Sequence, residues 1–164
     1  MMLDVGTGTI YVDKRGDTFH LTEYSNAYHA ALTEMYDAFS PKAITQGLPP
    51  ANSQARVRWI DELIATGENF LAWFENKIVG HASLLPELAR KEAEYLIFVD
   101  QAYRNRGLGT QLTRMAITTA QDLGLEAVWL TVEALNFKAI KLYRKIGFVF
   151  IDAGERERTM LLRL

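Results

Sequence analysis

The chain has 164 residues, of which 49% are apolar and 23% are charged, so its length suits one domain and its composition an ordinary globular protein. The formal net charge of −2 argues against the basic surface that binding to nucleic acid needs. The absence of cysteine excludes disulfides and thiolate catalysis and fits a reducing compartment.

The N-terminal residues predict a hairpin rather than a targeting segment. The opening MMLDVGTGTIYVDKRG carries an early acid and lacks the apolar core of a secretory signal. No apolar run in the chain is long enough to span a bilayer, so we expect a cytoplasmic protein with no membrane partner. The β-prone runs on either side of Asp13–Asp17 predict two strands joined by a turn, and residues 1–17 allow an extra N-terminal strand.

An amphipathic helix is predicted next, over residues 25–41. Ser25 or Asn26 can cap its start and Pro41 ends it. The apolar residues that share one helical face are Tyr28, Ala31, Leu32, Met35 and Phe39.

A loop rich in proline separates this helix from a second one. The loop PKAITQGLPPANS begins at Pro41. The second helix covers SQARVRWIDELIATG and ends at Gly67. Its predicted inward residues are Val57, Ile60 and Ile64.

The central part of the chain predicts three strands. NFLAWFENKIVGHASLL suits two of them, joined by a turn at Glu75–Lys77. After a polar insertion, the run EYLIFV is almost continuously apolar, which predicts a strand covered on both faces. It is followed closely by YRNRGLG, residues Tyr103–Gly109, which we call the glycine loop.

The C-terminal half alternates helices and strands. A helix after the glycine loop ends before Gly124, and its predicted inward residues are Leu112, Met115, Ala116, Ala120 and Leu123. AVWLTVEA predicts a strand, and a short helix runs from its cap Asn136 to Gly147. Two strands around AGERER predict an antiparallel hairpin. The helical crossover implies parallel neighbouring strands, and hence an α/β fold with a mixed sheet.

The residues of the glycine loop suit an anion. The first N–H groups of a helix lack partners and its dipole favours negative charge. Gly107 and Gly109 have no Cβ to block an approaching phosphate, Thr110 adds a hydroxyl, and Arg104 and Arg106 add positive charge. A pair of glycines alone is also explained by a tight turn between a strand and a helix.

Three other kinds of site are excluded by spacing. The Walker and dinucleotide-binding patterns both need a glycine where Leu112 stands. His20, His29 and His81 show no spacing typical of metal ligands, so we predict no metal site, and a structural role is favoured for His81.

Beyond the loop, the sequence resembles a known family. Arg104-x-x-Gly107-x-Gly109 resembles the Arg/Gln-x-x-Gly-x-Gly/Ala signature of the GNAT superfamily of N-acetyltransferases. AEYLIFVDQAYRNRGLGTQL resembles the strand, loop and helix around that signature, and LTVEALNFKAIKLYRKIGF the next strand and helix. The second match has the family's spacing at Asn136, Ala139, Tyr143, Gly147 and Phe148.

The resemblance implies one N-acetyltransferase domain over residues 1–164, with six or seven strands, four helices and central parallel strands that splay apart. It also implies acetyl-CoA as the co-substrate, with its pyrophosphate on the glycine loop and its pantetheine arm beside the preceding strand. The residues implied to bind it are Ile97, Phe98, Val99, Arg104, Asn105, Arg106, Gly107, Leu108, Gly109, Thr110, Asn136 and Tyr143.

Direct acetyl transfer to an amine, which the resemblance implies, needs a group that removes a proton from the amine. Glu94 stands where many family members carry this base. The alternatives for the base are Glu92, Glu133 or a chain of water molecules. Each of the three glutamates can also be a solvated carboxylate at the end of a strand. Tyr143 matches the family's general acid, although a tyrosine packed on the sheet explains it as well.

The acceptor is the least determined part. The resemblance implies a primary amine of a small molecule or a protein, held between the loop after the first helix and the final turn. The alternatives are a transferase that uses another acyl-CoA or an aminoacyl donor, and a regulatory domain that binds acetyl-CoA without turnover. The resemblance also allows a homodimer, but no residues identify an interface.

Overall fold

The computed structural model describes residues 8–41 and 48–164, in which helices flank a mixed sheet. In chain order the strands are β1 (Thr9–Val12), β2 (Thr18–Glu23), β3 (Glu68–Phe74), β4 (Lys77–Glu87), β5 (Glu92–Val99), β6 (Ala127–Glu133), β7 (Val149–Phe150) and β8 (Glu157–Arg163). The α-helices are α1 (His29–Ala38), α2 (Ser53–Thr66), α3 (Leu108–Asp122) and α4 (Phe137–Ile146). The strands lie in the order β1-β2-β3-β4-β5-β6-β8-β7.

The predicted α/β class with a mixed sheet and four α-helices is confirmed for the described ranges, but the sheet has eight strands rather than six or seven. The difference arises because β1 and the two-residue β7 both pair into the sheet, one at each edge. The predicted loop between α1 and α2 includes residues 42–47, which lie outside the described residues. None of the helices in the described ranges is both long and apolar enough to cross a membrane.

The β5 and β6 strands are parallel neighbours because α3 carries the chain back between them. They pair only over Glu92–Glu94 and Ala127–Trp129. Beyond these positions, β5 keeps its pairing with β4 as far as Val99, and β6 keeps its pairing with β8 as far as Glu133. The two strands therefore diverge towards their carboxyl ends and leave a gap in the sheet.

Apolar side chains pack on both faces of the sheet, as the alternation along a strand requires. On one face, α3 and α4 cover a core that includes Tyr95 and Tyr143. On the other face, α1 and α2 cover a core that includes Ile60 and Trp73. Tyr95 and Phe98 of β5 belong to different cores, which confirms the prediction of a strand covered on both faces.

Two residues predicted to face inward do not. Val57 and Leu123 are 40% and 42% exposed. In α2 the buried position beside Val57 belongs to Arg56, whose guanidinium donates hydrogen bonds to Asp37 Oδ1 at 2.8 Å and to the carbonyl of Ala51 at 3.0 Å. A guanidinium with such partners can be buried, so the buried face of α2 differs from the face that the apolar pattern predicted. Leu123 lies at the C-cap of α3, where the helix ends.

A buried polar network lies between the sheet and the first two helices. The Asn69 amide donates to the carbonyl oxygens of Leu63 and Gly67, so its Oδ1 is left to accept from His81 Nε2 at 2.7 Å. His81 Nδ1 then accepts from the Tyr36 hydroxyl at 2.5 Å. Burial lowers the pKa of His81 to about 3. The neutral ring is therefore a structural element, as predicted.

Candidate active site

The gap between β5 and β6 opens into a cavity of about 800 Å³, a size typical of sites for small molecules. Its walls come from β5, the glycine loop, β6 and α4, with further residues from the end of α1, from the segment between α1 and α2, and from β8. The lining includes Phe39, Leu48, Glu94, Leu96, Ile97, Phe98, Val99, Arg104, Asn105, Gly107, Leu108, Gly109, Thr131, Glu133, Asn136, Leu142, Tyr143 and Glu157.

The N-terminus of α3 opens into this cavity without a side-chain cap. Gly107 is the N-cap residue. The N–H groups of Leu108, Gly109 and Thr110 belong to the first helical turn and have no partner within the helix, and Leu108 and Gly109 line the cavity. Free N–H groups and the helix dipole together favour an anion, so this end of the cavity fits the pyrophosphate of coenzyme A.

The structure also gives each glycine of the loop a packing role. Gly107 has a φ of +84°, in the left-handed region, and a Cβ there would lie 2.2 Å from the Tyr11 hydroxyl oxygen. A Cβ on Gly109 would lie 2.9 Å from Leu142 Cδ1 of α4. Gly107 therefore makes the tight turn, Gly109 leaves room for α4, and the N–H groups stay accessible, so the two interpretations of the sequence are compatible.

The two arginines of the loop have different surroundings. Arg104 lines the cavity and donates to the carbonyl oxygens of Val99 and Ser40, both at 3.1 Å. Arg106 turns away and forms ion pairs with two carboxylates of the turn between β1 and β2. This placement corrects the prediction that both arginines add positive charge for a phosphate, because the charge of Arg106 is already compensated. The side chains of Arg106 and Thr110 are not part of the cavity lining.

The side chains of β5 reach the cavity from both faces of the sheet. Ile97 and Val99 pack with the core under α3 and α4, and Leu96 with the core under α1 and α2. Glu94 shares the second face because it precedes Leu96 by two residues. These four residues and Phe98 line the cavity, so the predicted coenzyme segment Ile97–Val99 lies at the gap.

The structure separates the three glutamates predicted as alternative bases. Glu94 lines the cavity, is half-buried, and has no hydrogen-bond or ion-pair partner among the described residues. Burial raises its pKa. Glu133 also lines the cavity but is exposed, and it lies opposite Glu157 in the register of β6 and β8. Glu92 is not part of the lining. Glu94 thus combines access to the cavity with a raised pKa, two properties of a general base.

Tyr143 and Asn136 of the α4 region line the opposite wall. Tyr143 is 8% exposed and its ring packs against Phe148, with ring centroids 5.7 Å apart. Its hydroxyl has no hydrogen-bond partner in the described part of the chain, and burial raises its pKa to about 12. The Asn136 side chain accepts a hydrogen bond from Ala139 N–H at 3.3 Å, which confirms the predicted cap.

The cavity thus has two sides, which approach the gap from opposite faces of the sheet. We call the wall formed by the glycine loop, Ile97 and α4 the donor side, and the wall formed by Phe39, Glu94, Glu133 and Glu157 the acceptor side. Tyr143 belongs to the first and Glu94 to the second. The buried Tyr143 hydroxyl and the half-buried Glu94 carboxylate therefore lie on different sides of the gap.

The wall residues that the sequence analysis missed include Phe39, Thr131 and Leu142. Leu142 was detectable, because it follows Ala139 by three residues and so shares a helical face with it. Phe39 was assigned to the core only, and Thr131 has no local pattern that marks it. Within residues 8–41 and 48–164, no cluster of His, Asp and Glu is arranged to hold a metal ion.

Comparisons with known proteins agree with this geometry. Residues 29–148 match the acetyltransferase (GNAT) family. A mycothiol acetyltransferase of Corynebacterium glutamicum is 32% identical over 81 residues, which are 49% of this chain and 28% of that protein. The chain thus spans less than a third of the length of that relative.

Two solved structures share the fold. The GNAT domain of S. lividans PAT superposes with a TM-score of 0.79 at 15% identity, covering 96% of this chain and 97% of that one. The structure of yncA from Salmonella typhimurium, solved with its cofactor acetyl-CoA, has a TM-score of 0.68 at 21% identity, covering 89% and 94%.

Proposed function

The chain belongs to the GNAT family of acetyltransferases, and we propose that it is an N-acetyltransferase that moves an acetyl group from acetyl-CoA directly to an amine. One observation carries the proposal: the uncapped N-terminus of α3 opens into the same cavity as Glu94 and Tyr143. Groups suited to bind an anion, to accept a proton and to donate one therefore share one cavity, which supports this reaction.

The donor side offers the groups that would hold acetyl-CoA. The N–H groups of Leu108, Gly109 and Thr110 suit its pyrophosphate, and Arg104 adds a charge that no carboxylate of the described residues compensates. When bound, acetyl-CoA supplies an acetyl thioester, whose carbon–sulfur bond is exchanged for a bond to the amine nitrogen.

Glu94 is proposed as the group that takes the proton from the amine. A protonated amine has no lone pair with which to attack, so the proton must leave first. Burial raises the pKa of Glu94, which makes its carboxylate a stronger base than an exposed glutamate. Glu133 or a water chain would serve only if the amine nitrogen lay nearer the exposed margin of the cavity.

Tyr143 is proposed as the group that gives a proton to the departing sulfur. Burial raises its pKa to about 12, so the hydroxyl is protonated throughout the neutral range. A sulfur with a pKa of about 8.5 is much more acidic than this phenol. The Tyr143 hydroxyl therefore donates a hydrogen bond that stabilises the negative charge developing on the sulfur, and the proton is only partly transferred.

The acceptor side supports an amine that carries further positive charge. Glu94, Glu133 and Glu157 all line it, and the last two face each other across β6 and β8. Two like charges in that position repel each other, and a cation between them would relieve the repulsion. Phe39 and Phe98 add apolar surface for the carbon skeleton.

A turnover assay tests the proposal. The purified protein is mixed with acetyl-CoA and amines of similar size that carry one positive charge, two positive charges, or one positive and one negative charge, as well as lysine peptides. We expect thiol release that depends on the amine and is fastest for the dications. Tight binding of CoA without thiol release for any amine would instead support a regulatory domain.

A further inference from the structure

We propose that the β1–β2 hairpin holds the glycine loop in the position that binds coenzyme A, and that it thereby determines the affinity for the coenzyme. The contacts come from Tyr11, Asp13 and Asp17 of the hairpin. The proposal rests on the proposed function, because it assigns the loop to the coenzyme. The hairpin spans residues 9–23, which precede the segment 29–148 that matches the family.

The first link is an ion pair that is largely buried. Arg106 Nε lies 2.9 Å from Asp13 Oδ2, with the side chains 9% and 1% exposed. The other oxygen of Asp13 accepts hydrogen bonds from the N–H groups of Arg15 and Asp17, both at 2.9 Å. One carboxylate therefore accepts the hydrogen bonds of the hairpin turn and forms an ion pair with the arginine of the loop, in which Arg106 Nε and Asp13 Oδ2 are not aligned as a hydrogen bond.

A second carboxylate completes the link. A guanidinium N–H of Arg106 donates to Asp17 Oδ2, and the guanidinium lies over the rings of Phe19 and Tyr103, at 5.5 and 5.7 Å from their centroids. The pKa of Asp13 is lowered overall, although burial raises it, because backbone N–H groups and then Arg106 stabilise the carboxylate. The pair is therefore ionised at neutral pH, and Arg106 is held from several directions.

The third link reaches the backbone of the loop itself. The Tyr11 hydroxyl donates to the carbonyl of Arg106 at 2.9 Å, and its oxygen occupies the space that a Cβ on Gly107 would need. The peptide between Arg106 and Gly107 directly precedes the free N–H groups of α3. A contact that fixes this peptide therefore fixes the direction of the N–H groups.

The charges permit a test in which the sign of the effect is decisive. If the hairpin acted only through its electrostatic field, removal of the Asp17 negative charge would tighten binding of the anionic coenzyme. If it acts by positioning, the same change weakens binding, because the loop loses a support. Asp17 is suitable because its side chain is 40% exposed, whereas removal of Asp13 leaves a buried, poorly compensated arginine that endangers folding.

The experiment compares Asp17→Asn and Tyr11→Phe with wild type and with a control, Glu23→Gln, an exposed carboxylate at the end of β2. The affinity for CoA is measured by calorimetry, and amide hydrogen exchange over residues 103–112 is measured in the protein without coenzyme. We expect each test variant to bind CoA about three- to tenfold more weakly and to exchange faster in the loop. We expect Glu23→Gln to behave as wild type.

Unchanged or tighter binding of CoA by both test variants would overturn the proposal, as would weaker binding with wild-type exchange in the loop. A wild-type protein that does not bind CoA would instead contradict the proposed function. In that case hydrogen exchange alone would decide whether the hairpin holds the loop.

Discussion

The two sides of the cavity are built in different ways. The donor side is made largely by two continuous segments, the glycine loop and Asn136–Tyr143, whose backbones require particular residues at particular places. Gly107 is needed for a left-handed φ, and Asn136 caps α4. The acceptor side collects single side chains from separate elements, such as Phe39 after α1 and Glu157 at the start of β8.

This difference has a chemical consequence. In our proposal the donor side binds acetyl-CoA mainly through backbone N–H groups, which remain when a neighbouring side chain is changed. The acceptor side offers side chains, of which the exposed Glu133 and Glu157 can be replaced with little effect on packing, whereas Phe39 also belongs to the core under α1 and α2. We therefore expect changes on the donor side to affect coenzyme binding strongly, and changes on the acceptor side to affect rate and amine preference.

The largest effect is expected from Gly109→Asp on the donor side. The new carboxylate would stand beside the N–H groups that we assign to the pyrophosphate, so we expect affinity for CoA to fall about a hundredfold. The same charge in the first turn of α3 interacts favourably with the helix dipole. The melting temperature should therefore fall little, and calorimetry with CoA should show the loss.

Gly109→Ala is the matched control for this change. Its Cβ meets only the end of the Leu142 side chain, at 2.9 Å, which can move. We expect a loss of affinity below about tenfold, since the added methyl group carries no charge. Equal losses for alanine and aspartate would show that space, rather than charge, limits this position, and unchanged affinity in Gly109→Asp would refute the anion site.

An intermediate effect is expected from Tyr143→Phe, at the boundary between the two sides. The ring and its contact with Phe148 remain, while the hydroxyl is lost. We expect kcat to fall about 30- to 100-fold, at or below the lower end of the usual contribution of a general acid because the proton is only partly transferred, with CoA affinity within about twofold of wild type. A kcat equal to that of wild type would remove the acid role and leave Tyr143 as a packed core residue.

The fold was largely predictable because its signals are local. Strand alternation, helical spacing and the glycine stops were sufficient to place the strands and helices in order, and the parallel pairing followed from the crossover of α3. The errors came where tertiary contacts decide. Arg56 replaces Val57 in the buried face because Asp37 and backbone carbonyls satisfy it, and no apolar pattern can show that.

The candidate site divides in the same way. The glycine loop and the Asn136–Phe148 segment were identified from contiguous motifs, since the backbone conformation constrains neighbouring residues. The hydrogen bond between Arg106 and Asp17 of the hairpin joins residues 89 positions apart. No sequence pattern around either residue indicates that the other is its partner. The opposition of Glu133 and Glu157 likewise depends on the register of β6 and β8.

The smallest of the three effects is expected from Glu94→Gln on the acceptor side, because water can take over part of the role of a lost base. We expect kcat/KM to fall about tenfold near neutral pH. Because burial raises the pKa of Glu94, wild-type activity should decline on the acidic side at a higher pH than for an exposed glutamate. The variant should lack the part of this decline that comes from protonation of Glu94. Its rate should follow only the fraction of the amine that is unprotonated.

Glu92→Gln is the matched control, since it makes the same change two residues earlier on β5, outside the cavity lining. Its pH–rate profile should superimpose on that of the wild type.

The free energy of unfolding gives a second measurement for Glu94→Gln. Ionised Glu94 loses hydration on folding, so at pH values above its folded pKa the charge opposes folding. Glu94→Gln should therefore be at least as stable as wild type at neutral pH. If Glu133→Gln rather than Glu94→Gln abolished the acidic decline, the base would lie at the exposed margin of the cavity, and the acceptor amine would have to bind there too.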